Sequence, residues 1–146
     1  MDAAVLAAKG ASLIVRRLGL GGGTALPGLL ALRLDPALVP RLAADLRAGS
    51  VLVTGTNGKT TTARLLAGMA RAAGLRVVAN AAGSNLVRGI AAALCQAARA
   101  DGRIGDGERS LGVFEVDEAT LPEAAALLSP RAVVFLNLFR DQLDRY

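Results

Sequence analysis

The segment VLVTGTNGKTTT, residues 51–62, constrains the fold of this chain more than any other. Residues 51–54 are mostly β-branched and predict a short buried strand, which runs directly into the glycine-containing turn 55–58. Lys59 and Thr60 follow where a helical pattern begins. A strand, a glycine-rich turn and a Lys-Thr pair at a helix start form the layout of a phosphate-binding loop. The alternative is an ordinary strand-to-helix turn with a solvated lysine.

Each residue type in this loop suits a polyphosphate ligand. Glycine has no Cβ, so the backbone N–H groups around Gly55 and Gly58 can close on phosphate oxygens. The helix that follows adds roughly half a unit of positive charge at its N-terminus. The Lys59 ammonium can reach the terminal phosphates, and the Thr60 hydroxyl can ligate Mg²⁺. These residues therefore predict a nucleotide-phosphate site.

The remaining pattern alternates strands with helices and predicts an α/β fold, a mostly parallel sheet of the P-loop type flanked by helices. A short helical segment, residues 1–48, precedes the sheet. Strands are predicted over 51–54, 76–79, 110–116 and 131–136, and helices over 4–18, 36–48, 61–73, 86–100 and 121–128. In the helix after the loop, the side chains expected to face the sheet are Leu65, Leu66, Met69 and Ala70.

Three acidic residues stand at the end of the third predicted strand: Glu115, Asp117 and Glu118. A carboxylate at the C-terminal end of a buried strand, in the same sheet as a phosphate-binding loop, is the usual position of a Mg²⁺ ligand. We expect Glu115 to point at the metal and Asp117 or Glu118 to cap the helix 121–128. The alternative is that the acids serve only as the acidic N-terminus of that helix.

Composition excludes several classes of chemistry. The formal net charge is +5, but the arginines are scattered and aromatic residues make up only 3 %. Nucleic-acid binding relies on basic patches and stacking rings, so we do not expect it here. Histidine is absent, which excludes histidine acid–base chemistry and histidine metal ligands within the chain.

Cysteine usage and the N-terminal residues bear on the cellular compartment. Cys95 is the only cysteine, and its Ala- and Leu-rich helical surroundings predict a small buried hydrophobe. Such usage fits a reducing compartment. The first 19 residues lack the charge order of a signal peptide, and no apolar run reaches the roughly 20 residues that span a bilayer. We therefore expect a cytoplasmic protein without a transmembrane segment.

Three motifs occur in the order that is typical of one family: GTNGKTT (55–61), FEVDEA (114–119) and NLFRDQLDRY (137–146). Together they resemble the Mur ligase superfamily, whose loop does not need the upstream glycine that Val53 replaces. The EVDEA and DQLD spellings resemble its MurT-like branch, which supplies subunits of lipid II isoglutaminyl synthases. Gln142 stands where the family usually has a histidine that helps to hold a second Mg²⁺, and glutamine cannot ligate in the same way.

The resemblance implies an ATP-dependent carbon–nitrogen ligase of peptidoglycan biosynthesis, with ATP and Mg²⁺ as cofactors. It would activate the α-carboxylate of D-glutamate in the lipid II stem peptide as an acyl phosphate. Ammonia from a GatD-type glutaminase partner would then give D-isoglutamine. The residues implied to bind the nucleotide are Gly55, Thr56, Asn57, Gly58, Lys59, Thr60 and Thr61. Thr60 and Glu115 would hold Mg²⁺, and Asn85 and Gln142 would lie near the transferred phosphate.

The resemblance also implies a domain division. Residues 49–146 would be the N-terminal part of a central ATP-binding domain, whose remainder is absent together with a C-terminal domain. We therefore expect no ligase activity from these 146 residues alone. Two alternatives stay open: a ligase similar to folylpolyglutamate synthase, and a non-enzymatic P-loop module that binds ATP and signals.

Overall fold

A parallel four-stranded sheet forms the centre of the computed structural model, which describes residues 1–17, 19, 25–80, 83–105 and 107–137. The strands, in the spatial order β2-β3-β1-β4, are β1 (Ser50–Thr54), β2 (Arg76–Ala79), β3 (Ser110–Glu115) and β4 (Ala132–Phe135). Every pairing among them is parallel, which confirms the predicted α/β class. β1 lies between β3 and β4, so the segments that follow these three strands meet at one edge of the sheet.

Helices precede the sheet and connect its strands, as predicted. They are α1 (Ala3–Arg17), α2 (Ala25–Leu34), α3 (Leu38–Ala43), α4 (Lys59–Ala72), α5 (Val87–Ala97) and α6 (Leu121–Leu128), with a 3₁₀ turn at Gly107–Arg109. None of the helices in these ranges has both the length and the apolarity needed to cross a bilayer.

Alternate residues of the strands build a hydrophobic core on each face of the sheet. Leu52 and Phe114 belong to the larger core, on the face that α5 and α6 cover. Val53 and Val113 point the other way and pack against α4. Because side chains alternate along a strand, β1 and β3 are buried on both faces. This double burial fixes β1, and with it the start of the glycine turn.

The side of α4 that faces the sheet agrees with the prediction at Leu66, which is half-buried against the smaller core, but not at Leu65 and Met69. Leu65 and Met69 are 63 % and 61 % exposed, whereas Ala63 and Ala67 are buried against the strands. At the first turn of α4, the Thr60 side chain reaches across to the end of β3. Residues three and seven positions after Thr60 share its face, so the small alanines contact the sheet.

β4 is largely exposed, which differs from the burial that its nearly all-apolar sequence favours. Val133 and Phe135 are 37 % and 61 % exposed in the described structure, and only Val134 is half-buried among its neighbours in the smaller core. β4 lies at one end of the strand order, and the described helices pack mainly against β1, β2 and β3.

The N-terminal helices include one that the pattern did not predict. α2 contains Pro27 in its first turn, where a missing N–H costs nothing, and Gly28 next to it. A Cβ added at Gly28 would clash with the carbonyl of Arg88, so glycine is what lets α2 cross α5 closely. The predicted helix over 36–48 is shorter and spans Leu38–Ala43. Its start is delayed because Asp35 heads a turn by accepting the Ala37 N–H at 3.0 Å.

Cys95 is fully buried in α5, as predicted. Burial raises the pKa of its thiol to about 11, so the reactive thiolate is scarce at neutral pH. This cysteine therefore acts as a core residue.

A charge cluster ties the start of α1 to α3. Asp2 Oδ1 accepts the Val5 N–H at 2.9 Å, which caps α1. The Arg41 guanidinium lies 2.7 Å from both Asp2 Oδ2 and Asp35 Oδ2, and it also donates to the Gly102 carbonyl. The cluster joins four segments of the chain through one arginine.

We expect Asp2→Asn to lower the free energy of unfolding by about 1 kcal/mol at neutral pH. The Val5 N–H bond, followed by Arg41, holds the pKa of the Asp2 carboxyl below its ordinary 3.8. A lowered folded pKa stabilises the protein above the unfolded value, and this contribution is lost as the pH falls through the folded pKa. In urea unfolding, the gap between wild type and variant should therefore close below pH 3.8. A gap of constant size would contradict this assignment.

Candidate functional site

The turn between β1 and α4 is shaped by two glycines in the left-handed region. Gly55 has φ 135° and Gly58 has φ 86°. A Cβ at Gly55 would lie 2.9 Å from the Asn137 carbonyl oxygen, so no larger residue fits there. Gly58 is the N-cap of α4, and no side chain caps the helix at that position. The N-terminus of α4 thus offers N–H groups and a positive dipole end to an anion.

Asn137, just after β4, braces this turn from the neighbouring strand. Its Oδ1 accepts the Asn57 N–H at 2.9 Å, and its Nδ2 donates to the Asn57 carbonyl at 3.1 Å. The Thr56 N–H donates to the Asn137 carbonyl at 3.1 Å. Asn137 is the first residue of the motif 137–146, and no role was predicted for it. The available signal was an asparagine directly after a predicted strand, where its amide can bond an adjacent loop.

Lys59 folds back over the glycine turn. Its Nζ donates to the Gly55 carbonyl at 2.6 Å and lies 3.6 Å from Asp117 Oδ1. The side chain is only 12 % exposed. The ammonium is therefore held at the mouth of the loop by one carbonyl and one carboxylate, both of which a phosphate could replace as partners.

Glu115, the last residue of β3, is buried next to Thr60. The Thr60 hydroxyl donates to Glu115 Oε2 at 2.8 Å, and the glutamate is 4 % exposed. Asn80 fixes the backbone of this residue, because its Oδ1 accepts the Glu115 N–H at 2.9 Å and its Nδ2 donates to the Glu115 carbonyl at 2.8 Å. Asn80 is a second residue of the site that sequence analysis missed.

The charge of Glu115 fits a divalent cation. Among the described residues no lysine or arginine forms an ion pair with it, and a buried carboxylate is costly without a compensating charge. A carboxylate and a hydroxyl are ligands that Mg²⁺ accepts, and this ion usually takes one or two protein carboxylates together with phosphates and water. The described part of the chain has no cluster of three His, Cys, Asp or Glu side chains suited to a metal.

Asp117 and Asn85 extend the site away from the loop. Asn85 Nδ2 donates to Asp117 Oδ1 at 3.1 Å, and the Asp117 N–H donates to the Asn85 carbonyl at 3.2 Å. The prediction that Asp117 or Glu118 caps α6 is wrong: Thr120 is the N-cap, and no side chain bonds there. The Asp117 carboxylate lies beside Lys59 instead, which makes it a site residue.

A cleft of about 150 Å³ opens beside Glu115. It lies between α4 and the strands β2 and β3, with Arg64 and Arg71 on one side and Asn80 and Glu115 on the other. The arginines give this space a positive wall next to the buried carboxylate. Such a combination suits an anion, or an anion together with a metal ion.

The structure brings most of the predicted site residues to one edge of the sheet. Lys59 and Asn85 share the Asp117 carboxylate, Thr60 bonds Glu115, and residues 55–58 form the turn between them. Thr61 is exposed in the first turn of α4. Gln142 lies outside the described residues. The roles assigned to all of these residues stay predictions.

Known proteins match the part of the chain that carries the candidate site. The family model of the Mur ligase middle domain matches residues 53–146. The chain is 35 % identical over 142 residues to the lipid II isoglutaminyl synthase (glutamine-hydrolyzing) subunit MurT of Streptococcus pneumoniae, with 97 % of this chain and 30 % of that protein covered. Identity is 34 % over 124 residues to the subunit of the same name from Staphylococcus aureus strain COL, with 85 % and 26 % covered. The chain thus spans less than a third of the length of these relatives.

Proposed function

Because this chain belongs to the Mur ligase family, we propose that it forms the nucleotide-binding part of an ATP-dependent, amide-forming ligase. The family assignment and the similarity to MurT subunits agree with the resemblance seen in the three motifs. We propose residues 49–146 as the first part of a central ATP-binding domain, and residues 1–48 as a separate helical segment. The observation that carries the proposal is the buried Glu115 carboxylate hydrogen-bonded to Thr60 at the end of a phosphate-binding loop.

The substrate assignment within this proposal rests on the similar proteins. Their names describe them as subunits of a lipid II isoglutaminyl synthase that hydrolyses glutamine. Glutamine hydrolysis releases ammonia, which an amide-forming subunit can use. We therefore propose that the acceptor is the α-carboxylate of D-glutamate in the lipid II stem peptide, and that the partner is a GatD-type glutaminase. A cytoplasmic location is part of the proposal, because the reaction consumes ATP.

The chemistry explains why such a ligase needs ATP. A carboxylate cannot be amidated directly, because oxide is a poor leaving group. Phosphorylation gives an acyl phosphate, from which ammonia displaces phosphate. Bound ATP and Mg²⁺ would supply the phosphoryl group and neutralise its charge. The task of the chain's own residues is to position the reacting groups and to stabilise charge.

The residues of the site divide this task. Lys59 would leave the Gly55 carbonyl and bind the terminal phosphates, while the N–H groups of residues 58–61, at the start of α4, surround them. The N–H groups of Thr56 and Asn57 are already donated to Asn137 and hold the shape of the turn. Thr60 and Glu115 would hold Mg²⁺. Asp117 would keep the Lys59 ammonium at the loop before the nucleotide arrives.

Asn85 is proposed near the transferred phosphate because its Nδ2 is bonded to Asp117, which lies beside Lys59. Its Oδ1 is buried without a partner among the described groups. An ionised phosphate carries no donor for this acceptor, so a bound water that donates to it would be favoured. We also propose Gln142 near the transferred phosphate, only because of its position in the motif 137–146.

Phosphate release by the whole gene product tests the function. We expect release and amidation only when lipid II, glutamine and a GatD-type glutaminase are all supplied. Release supported by folate and glutamate would favour the ligase similar to folylpolyglutamate synthase. Release without any acceptor carboxylate would favour the P-loop module and count against the proposal.

A further inference from the structure

The two N-terminal helices expose an apolar surface that the core does not use. On α2 it consists of leucines at helical spacing, which are 37–55 % exposed: Leu26, Leu29, Leu30 and Leu34. The opposite side of α2, with Gly28 and Ala31, is buried against α5. On α1, Leu13 and Ile14 are 53 % and 59 % exposed. We call these six side chains the α1–α2 surface. An exposed apolar patch of this kind marks an interaction site.

Basic residues accompany the α1–α2 surface, and acidic ones do not. Residues 3–34 contain no aspartate or glutamate and four basic residues, a net charge of +4. Arg16 and Arg17 stand in the last turn of α1, and Arg33 stands in the last turn of α2. The flanking acids, Asp2 and Asp35, are both paired with Arg41. The region therefore combines exposed aliphatic side chains with an uncompensated positive charge.

We propose that the α1–α2 surface docks on an anionic lipid membrane, with its leucines in the headgroup region and its arginines on lipid phosphates. Helices with an aliphatic side and arginine or lysine beside it bind membranes in this way. At 15 and 10 residues, α1 and α2 lie on such a surface and do not span it.

Other occupants fit less well. A second copy of the chain would bring two sets of positive charge together. A protein partner would usually be held by aromatic anchors, and residues 1–34 contain no aromatic residue. The proposal rests on exposure and charge in α1 and α2, and it does not depend on the nucleotide site.

Vesicle co-sedimentation of the 146-residue chain tests the proposal. Wild type should pellet with vesicles of equimolar phosphatidylcholine and phosphatidylglycerol and stay in solution with phosphatidylcholine alone. Leu26→Gln/Leu30→Gln/Leu34→Gln should weaken binding at least tenfold. Arg16→Gln/Arg17→Gln should weaken it about thirtyfold, since each cation contributes about 1 kcal/mol near an anionic surface. Added salt should reduce wild-type binding.

Matched controls are exposed side chains outside α1, α2 and the candidate site. Leu65→Gln/Met69→Gln and Arg47→Gln/Arg131→Gln should bind vesicles like wild type. Circular dichroism should show unchanged helix content in all four variants, because every substituted side chain is exposed. Absent wild-type binding, equal binding to neutral vesicles, or equal losses in the two control variants would each overturn the proposal. The proposal would also be overturned if the wild-type chain formed a dimer, did not bind vesicles, and lost its dimer on substitution of the three leucines.

Discussion

Replacing Lys59 with alanine should abolish the stabilisation that ATP and Mg²⁺ give the chain. A ligand at 100 times its Kd stabilises the folded state by about 2.7 kcal/mol. For a domain of this size, that corresponds to a rise in Tm of roughly 5–10 °C. The Lys59 ammonium is the side-chain cation that contacts the glycine turn among the described residues, so its loss removes the charge placed closest to the phosphates. Thermal unfolding with and without ATP and Mg²⁺ measures the effect.

Lys9 provides the matched control, because it is the only other lysine in the chain. It lies in α1, outside the candidate site, so Lys9→Ala should retain the full nucleotide-dependent rise in Tm. The ligand-free Lys59→Ala protein should unfold close to wild type, since it loses one carbonyl contact and one partly exposed ion pair. If Lys59→Ala kept the full rise in Tm with ATP and Mg²⁺, the proposal that Lys59 binds phosphate would be wrong.

Glu115→Gln should remove the Mg²⁺-dependent part of nucleotide binding and leave most of the metal-free part. Glutamine keeps the size of the side chain and can still accept the Thr60 hydroxyl, but it lacks the charge that attracts a divalent ion. We expect the Mg²⁺ increment in ATP affinity to fall at least tenfold, measured by titration of ATP with and without the metal.

The same variant separates a ligand-binding role from a structural one. Glu115 is 4 % exposed and has no described ion-pair partner, so its charge costs stability in the ligand-free protein. Glu115→Gln should therefore unfold at the same temperature as wild type or higher when no ligand is present. Glu123 is an exposed glutamate in the first turn of α6 and provides the control. Glu123→Gln should change neither the Mg²⁺ increment in ATP affinity nor the unfolding temperature without ligand. A strongly destabilised Glu115→Gln protein would mean that the carboxylate holds the fold together.

The strands could be predicted closely because their signals are local. β2 was predicted over its observed residues, and β1 begins one residue earlier than predicted. Branched residues bounded by glycines or polar turns identify such strands without any knowledge of their neighbours. α2 was missed because Pro27 and Gly28 usually end helices. The helix tolerates Pro27 because it lies in the first turn, and it requires Gly28 because α2 crosses α5 there. A local sequence pattern shows neither the start of the helix nor the crossing.

The candidate site was predicted only in part, for a similar reason. Lys59, Thr60 and Glu115 stand in motifs whose chemistry can be read directly. Asn80 and Asn137 act through bonds to backbone groups 35 and 80 positions away, which no spacing rule specifies. The inward face of α4 was assigned by hydrophobicity alone, which missed the small alanines Ala63 and Ala67 on the side of Thr60.

The bonds between Asn57 and Asn137 also bear on the order of events in folding. They join residues 80 positions apart, so the turn acquires its final shape only after β4 has docked beside β1. Contacts of such long range form late, because a large loop must close first. Because synthesis starts at the N-terminus, β1, α4 and β3 leave the ribosome before Asn137, and the nucleotide loop is still unbraced when they do. Competence to bind phosphate therefore waits for the synthesis and docking of β4.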